Sequence, residues 1–213
     1  MHDDEIEIYE LLVRGLVAAQ LPTLSDRQLT RVEPWGTDNA IWRLGEDLVL
    51  RLPRVSWATS QVQHEALWLP RLAPHLPISI PTPVAIGQPG PGYPFLWSVH
   101  KWLPGTGASV AQMRDPISFA LDLAAVIRAL EVVPTEGAPP AVNRARPVRD
   151  YDDAARAAIV GARNLIDTNC ATDIWNEATT ATPHLGAPVW VHGDIEGNCL
   201  LTVSRSVRAL ALD

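Results

Sequence analysis

Lysine is almost missing from this 213-residue chain: of its 17 basic residues only Lys101 is not arginine. Any task elsewhere in the chain that calls for a side-chain cation therefore falls to arginine, which offers a planar, bidentate donor fork instead of a compact amine. Cysteine is scarce too. Cys170 and Cys199 are the 2 present, too few for a disulfide framework and consistent with a cytosolic, reducing setting. C-x-x-C and H-E-x-x-H pairings are absent, so no zinc site is legible. No apolar run nears the roughly 20 residues that a membrane span needs, and the acidic opening MHDDEIEIYE is unlike a signal peptide. Positive charge is not in excess either. A net charge of −7 and a pI near 5.3 disfavour a nucleic-acid or anionic-membrane partner and tolerate a cationic one.

What is present suits a folded α+β protein. Hydrophobic residues make up 47% and charged residues 19%, an ordinary globular balance in a chain long enough to bury a real core. Residues 5–19 predict an amphipathic helix, broken by Leu21-Pro22-Thr23. Residues 29–34, 40–45 and 47–53 predict a three-stranded antiparallel meander, with Gly36-Thr37-Asp38-Asn39 and Gly45-Glu46 as its connections. A helix is expected over 59–73, with Pro70 kinking or ending it. Strands are expected at 81–87 and 94–103, around a hairpin loop to which Gly87, Gly90 and Gly92 belong.

After Pro104-Gly105 the pattern changes. Residues 116–131 predict a helix with Asp115 as N-cap and Pro116 in its first turn. It is apolar on most sides, which predicts burial. A loop rich in Pro, Ala and Arg follows, then helices over 150–167 and 171–181 and short strands at 188–191, 199–203 and 207–212. The expected division is a β-rich lobe over 1–104 and a mainly helical lobe over 105–213. No internal repeat is visible.

The chemistry gathers near the end of the chain, in VWVHGDIEGNCLL. Asp194 stands at the mouth of a strand, where a carboxylate can accept the proton of a substrate hydroxyl. Asn198 offers an amide oxygen, and Asp213 at the end of the next hairpin offers a carboxylate. Both suit a hard cation. A base, an Asn and a second Asp form the set that phosphoryl transfer uses. A lone D-x-x-x-N reads more simply as a capped polar turn, but the His192-Gly193 lead-in, the flanking strands and the second Asp favour chemistry. His192 suits a hydrogen-bonded support of this loop, and Cys199 a small buried residue.

At these residues the sequence resembles the aminoglycoside phosphotransferase family, whose members share the protein-kinase-like fold. The carrying stretch is His192-Gly193-Asp194-Ile195-Glu196-Gly197-Asn198, then Cys199-Leu200-Leu201, then Val207 to Asp213. The resemblance implies a two-lobed α+β fold, with an antiparallel sheet and one helix in the first lobe and a helical second lobe, incomplete at its C-terminal end because family members continue past the last aspartate. It implies Asp194 as catalytic base and Asn198 and Asp213 as ligands of Mg2+. It extends to residues 34–54, where Arg51 would take the place of the nucleotide-contacting cation, with Glu65 on the next helix as its partner. Taken alone, each reads equally well as a surface charge. Gly36, Thr37 and Asn39 would lie in the loop over the phosphates, which lacks G-x-G-x-x-G and by itself reads as a bare turn. Lys101-Trp102-Leu103 would form the hinge between the lobes, with backbone groups there, at Trp102 and Leu103, against the base.

The expected activity is transfer of the γ-phosphoryl group of ATP, or of GTP, to a hydroxyl of a small molecule such as an aminoglycoside, other antibiotic or metabolite. This is the chemistry of antibiotic resistance. An acidic protein suits a cationic acceptor. Three residues separate Asp194 from Asn198, one fewer than is usual in the family, which in helical geometry turns the Asn by about 100°. That departure and the early end keep a second reading open: a truncated, inactive remnant that at most binds nucleotide. The sequence does not fix the oligomeric state.

Overall fold

The computed structural model describes residues 5–33, 38–107, 115–140, 146–182, 185–193, 195, 199–201 and 207–210. Gly36, Thr37, Asp194, Asn198 and Asp213 lie outside them. The chain divides into two compact units, residues 1–133 with 194–213, and residues 134–193.

The first unit is built on a five-stranded antiparallel sheet. Its strands are β1 (Leu29–Arg31), β2 (Asn39–Leu44), β3 (Leu48–Pro53), β4 (Pro83–Gly87) and β5 (Trp97–Lys101), in the order β1-β2-β3-β5-β4. Strand alternation gives the sheet two unlike faces. Ala40, Trp42 and Leu44 stand opposite Leu52, Leu50 and Leu48, with Val99 opposite Leu50. These residues form the core together with Leu12, Val13, Leu16 and Val17 of helix α1 (Glu10–Gln20). The helix presents them at i, i+1, i+4 and i+5, one apolar stripe.

Helix α1 begins at Glu10, five residues later than the sequence predicts. The cause is the Ile6-x-Ile8 alternation, which fits an extended chain better than a helix. Ile6 donates its amide to the Arg54 carbonyl at 2.9 Å, Ile8 is buried, and Glu5 pairs with Arg54 at 2.6 Å. Helix α2 (Thr59–Leu72) runs through Pro70 to Leu72, so the proline does not end it. Pro70 lies in the last turn, where the one amide bond it forfeits is cheap.

Gly87 meets a spatial demand. It lies opposite Trp97 in the β4–β5 register, and a Cβ there would fall inside the Trp97 indole. That indole is fully buried and donates to the Gln88 carbonyl at 3.2 Å.

Helix α3 (Pro116–Glu131) has the predicted bounds and cap. The Asp115 carboxylate accepts from the Ile117 and Ser118 amides at 3.1 and 3.0 Å, and from the Ser118 hydroxyl at 2.7 Å. The expectation that α3 is buried is corrected. Val126 and Leu130, continued by Val133, are buried and Phe119 and Leu123 are half-buried, while Ile117 and Leu121 are 74% and 65% exposed. A helix that is apolar all round buries only the side against which other elements lie. A second sheet completes this unit, β6 (Thr106–Gly107), β7 (Cys199–Leu201) and β8 (Val207–Leu210), in that order. The sequence does not predict β6.

The second unit holds α4 (Asp152–Gly161) and α5 (Thr168–Thr180). The expected longer helix over 150–167 stops at Gly161, and α5 starts three residues early because Asp167 caps it, accepting from the Asn169 and Cys170 amides at 3.0 and 3.1 Å. Asp152 ties the two helices, accepting from Arg156 and from the Trp175 indole at 2.7 Å. The strand predicted over 188–191 does not form; among the described residues no strand pairs with it. A β-branched run without a ladder partner has no reason to stay a strand.

The indole contact at Gly87 sets a stability test. Gly87→Ala is expected to cost about 2–3 kcal/mol, as an overpacked core does, read from the urea midpoint. An unchanged midpoint would show that the Trp97 ring does not occupy that space.

Candidate functional site

The face of the sheet turned away from α1 is where polar residues collect. On β3 the even positions belong to the apolar core, so Val49 and Arg51 fall on the other side. Arg51 stands opposite Ile41 of β2 and Ser98 of β5, and Val49 opposite Arg43 and His100. Asn39 shares this face at the start of β2, opposite Pro53. Arg51, Asn39, Ser98 and His100 are all buried, and buried polar groups in a sheet centre are more informative than any exposed one.

Helix α2 supplies the counter-charge. Its covered stripe is Val62, Leu69 and Leu72, and Glu65 falls in step with it at i+3 from Val62. Arg51 Nη1 lies 3.2 Å from Glu65 Oε1 and 3.3 Å from Oε2, and both side chains are 11% exposed. At such depth each charge needs the other, because a lone one would bear the full desolvation penalty. His100 Nε2 lies 2.9 Å from Ser98 Oγ and 3.6 Å from Glu65 Oε2. Its imidazole is held neutral. Burial first, and the charge of Arg51 second, push its pKa from 6.5 down to about 3. Its approach to Glu65 is therefore that of a neutral ring to a carboxylate whose charge Arg51 already balances.

The structure thus brings Arg51, Glu65 and Asn39 to one side of the sheet. Trp102 and Leu103 follow β5 directly. The Trp102 amide donates to the Asp47 carbonyl at 2.8 Å, and the Arg43 guanidinium lies 4.9 Å over its ring. A surface cavity of about 740 Å3 opens beside Trp102, lined by Arg27, Arg43, Asp47 and Lys101 among others. Its lining does not include Arg51 or Glu65, and Arg27 and Asp47 pair within it. Sequence reasoning missed Ser98 and His100. The signal was there: Ser98 and His100, two apart and alternating with the apolar Trp97 and Val99, fall on the same face as Arg51 once the register is set.

No cluster of three or more His, Cys, Asp or Glu side chains able to hold a metal occurs among the described residues. Also among them, no helix is long and apolar enough to cross a membrane.

A model of the phosphotransferase enzyme family, abbreviated APH, matches residues 30–207. The chain belongs to that family. The resemblance read from the His-Gly-Asp motif is to this same group. Solved phosphotransferases share the fold, an antiparallel sheet with helices of the kinase-like kind. The GDP and kanamycin complex of APH(2")-IIia is 19% identical, with a TM-score of 0.77 over 95% of this chain and 72% of that one. The streptomycin–ATP complex of APH(2")-IIa is 13% identical, with a TM-score of 0.63 over 97% and 71%. A macrolide 2'-phosphotransferase, MphH from Brachybacterium faecium, is 22% identical, with a TM-score of 0.66 over 93% and 70%. No curated protein matches the sequence.

Two stability outcomes follow for this member of the phosphotransferase family. Glu65→Ala removes the carboxylate that balances the buried Arg51 charge and is expected to cost about 3–5 kcal/mol, whereas Glu46→Ala at an exposed turn should cost under about 0.5 kcal/mol. Equal urea midpoints for the two variants would contradict the buried pair. The second outcome concerns acid. The unfolded chain takes up a proton at His100 below pH 6.5, and the folded chain does so only near pH 3. Stability from this group is intact above pH 6.5 and falls as the pH drops toward 3, by at most about 1.4 kcal/mol per pH unit. Between pH 7 and pH 5 the parent should lose about 2 kcal/mol more than His100→Gln. Parallel losses would place the ring in water.

Proposed function

We propose that this chain moves the γ-phosphoryl group of a nucleoside triphosphate, ATP or GTP, to a hydroxyl of a small molecule. The observation that carries the reading is the buried Arg51–Glu65 pair at the centre of the polar face of the sheet. A cation kept at that depth, at a cost in desolvation, is explained by a use, and its guanidinium suits phosphate oxygens. Family membership and the nucleotides held by the similar structures, GDP and ATP, support it.

In this reading Asp194 takes the acceptor's proton as the acceptor oxygen bonds to the γ-phosphorus and the bond from that phosphorus to the bridging oxygen breaks, leaving the nucleoside diphosphate. Arg51, steadied by Glu65, holds the phosphates, Gly36, Thr37 and Asn39 form the loop above them, and Trp102 and Leu103 meet the base. Asn198 and Asp213, a hard-oxygen donor set, suit Mg2+, which supplies charge neutralisation on the phosphoryl oxygens when bound. The nucleotide side falls to residues 1–104 and the acceptor side to 105–213. Kanamycin, streptomycin and gentamicin in the similar structures make a polycationic aminoglycoside a fitting acceptor for a chain of net charge −7, and a role in resistance follows from that acceptor. The triphosphate donor suits the cytoplasm.

A second reading has its own support. The three residues between Asp194 and Asn198 fit a chain that binds nucleotide without turnover.

Asp194→Ala separates these readings. Phosphate transfer from γ-labelled ATP to a panel of aminoglycosides and macrolides is expected to fall at least about 10³-fold in this variant, with nucleotide affinity by calorimetry within about threefold of the parent. Turnover that survives the substitution would remove Asp194 as base. A parent that binds nucleotide and transfers nothing would select the second reading.

A further inference from the structure

The polar face holds one group that the proposed chemistry does not use. His100 is 1% exposed, lies one residue before the Lys101–Trp102 turn out of β5, and faces the same pair that is read above as the phosphate clamp. Its Nε2 touches Ser98 Oγ at 2.9 Å and comes within 3.6 Å of Glu65 Oε2. Its Nδ1 is buried with no hydrogen-bond partner.

Those contacts choose the tautomer. If the proton sat on Nδ1, a buried N–H would be left with nothing to bind, the rarer and more costly fault. A proton on Nε2 instead donates to Ser98 Oγ and points its positive end toward the Glu65 carboxylate, leaving only a lone pair unmatched. The charged groups facing the ring are Arg51 and Glu65, and their charges balance.

We propose that His100 is a positioning residue. Its Nε2–H, braced by Ser98, fixes the Glu65 carboxylate so that Arg51 is aimed rather than merely neutralised. At 3.6 Å the ring acts on Glu65 through its dipole and its bulk, not through a direct hydrogen bond. The work is orientational: a carboxylate flanked by the guanidinium and by the ring has less room to swing and carry the guanidinium with it. The inference rests on the reading of Arg51 as a phosphate clamp.

The test is a double-substitution cycle read by ATP and ADP calorimetry on the full chain. His100→Leu keeps the bulk and removes the donor, and should weaken nucleotide binding about fivefold to tenfold. His100→Gln replaces the donor near the Nε2 position and should recover to within about twofold. In a Glu65→Gln background His100→Leu should change affinity by less than twofold, whereas a merely structural role would cost the same in both backgrounds. If Arg51→Ala leaves nucleotide affinity unchanged, the clamp reading itself fails. If Arg51→Ala weakens binding and His100→Leu does not, only the positioning role fails. Nitrogen-15 shifts of the imidazole give a readout in the parent that needs no variant to fold. They should report a neutral ring protonated at Nε2 throughout pH 5.5–8, and a ring that titrates near 6.5 or carries its proton on Nδ1 would overturn the inference.

Discussion

One strand has to serve two masters in this fold, and the Arg51–Glu65 pair is the result. β3 lies in the middle of the sheet, with a neighbour on each edge. Its even side chains complete the apolar core under α1, and of its odd ones Arg51 is buried on the opposite face. Placing a guanidinium there is tolerable only with a carboxylate at hand. The helix that brings Glu65 is thereby fixed in rotation as well as position. A turn of 100° about its axis would move Glu65 away and put another residue of α2 against Arg51. The pair is thus a register mark for α2 as well as a charge balance.

The same constraint explains why the sheet is so unevenly built. The α1 side is closed by leucines, valines and tryptophans that are 8% exposed or less. The other side keeps Asn39, Arg51, Ser98 and His100 where apolar residues of similar volume would serve stability as well or better. Local choices that work against stability tend to mark places that stability does not govern. That is the sense in which the buried cation of this face supports the proposed phosphate clamp.

Much of this was legible in the sequence, for reasons that differ from element to element. The strands were readable because Leu48, Leu50 and Leu52 alternate with other residues at period two, and α3 because Asp115-Pro116 marks its start without ambiguity. Glu65 as the partner of Arg51 follows from the family resemblance; within α2 the one local sign is a carboxylate in step with the covered stripe of Val62, Leu69 and Leu72. The errors share a cause. Ile6-x-Ile8 looked helical and VWV near residue 190 looked extended, because a short apolar run takes its conformation from what it meets, and a sequence does not say what that is. The burial expected of α3 failed in the same way. Ser98 and His100 needed a strand register before their side of the sheet could be known. The spacing of Asp194, Asn198 and Asp213 is a statement of sequence alone, since these three lie outside the described residues.

The shortage of lysine has a practical side. With arginine at position 51, no amine lies on the buried face of the sheet. The chain's single side-chain amine, Lys101, is exposed at the end of β5, next to Trp102. An acylating dye, kept off the terminal amine by the pH of the reaction, would attach to one place and would sit beside an indole able to quench it. The composition therefore leaves an optical reporter position at the edge of the proposed base-binding segment, obtained without introducing a cysteine.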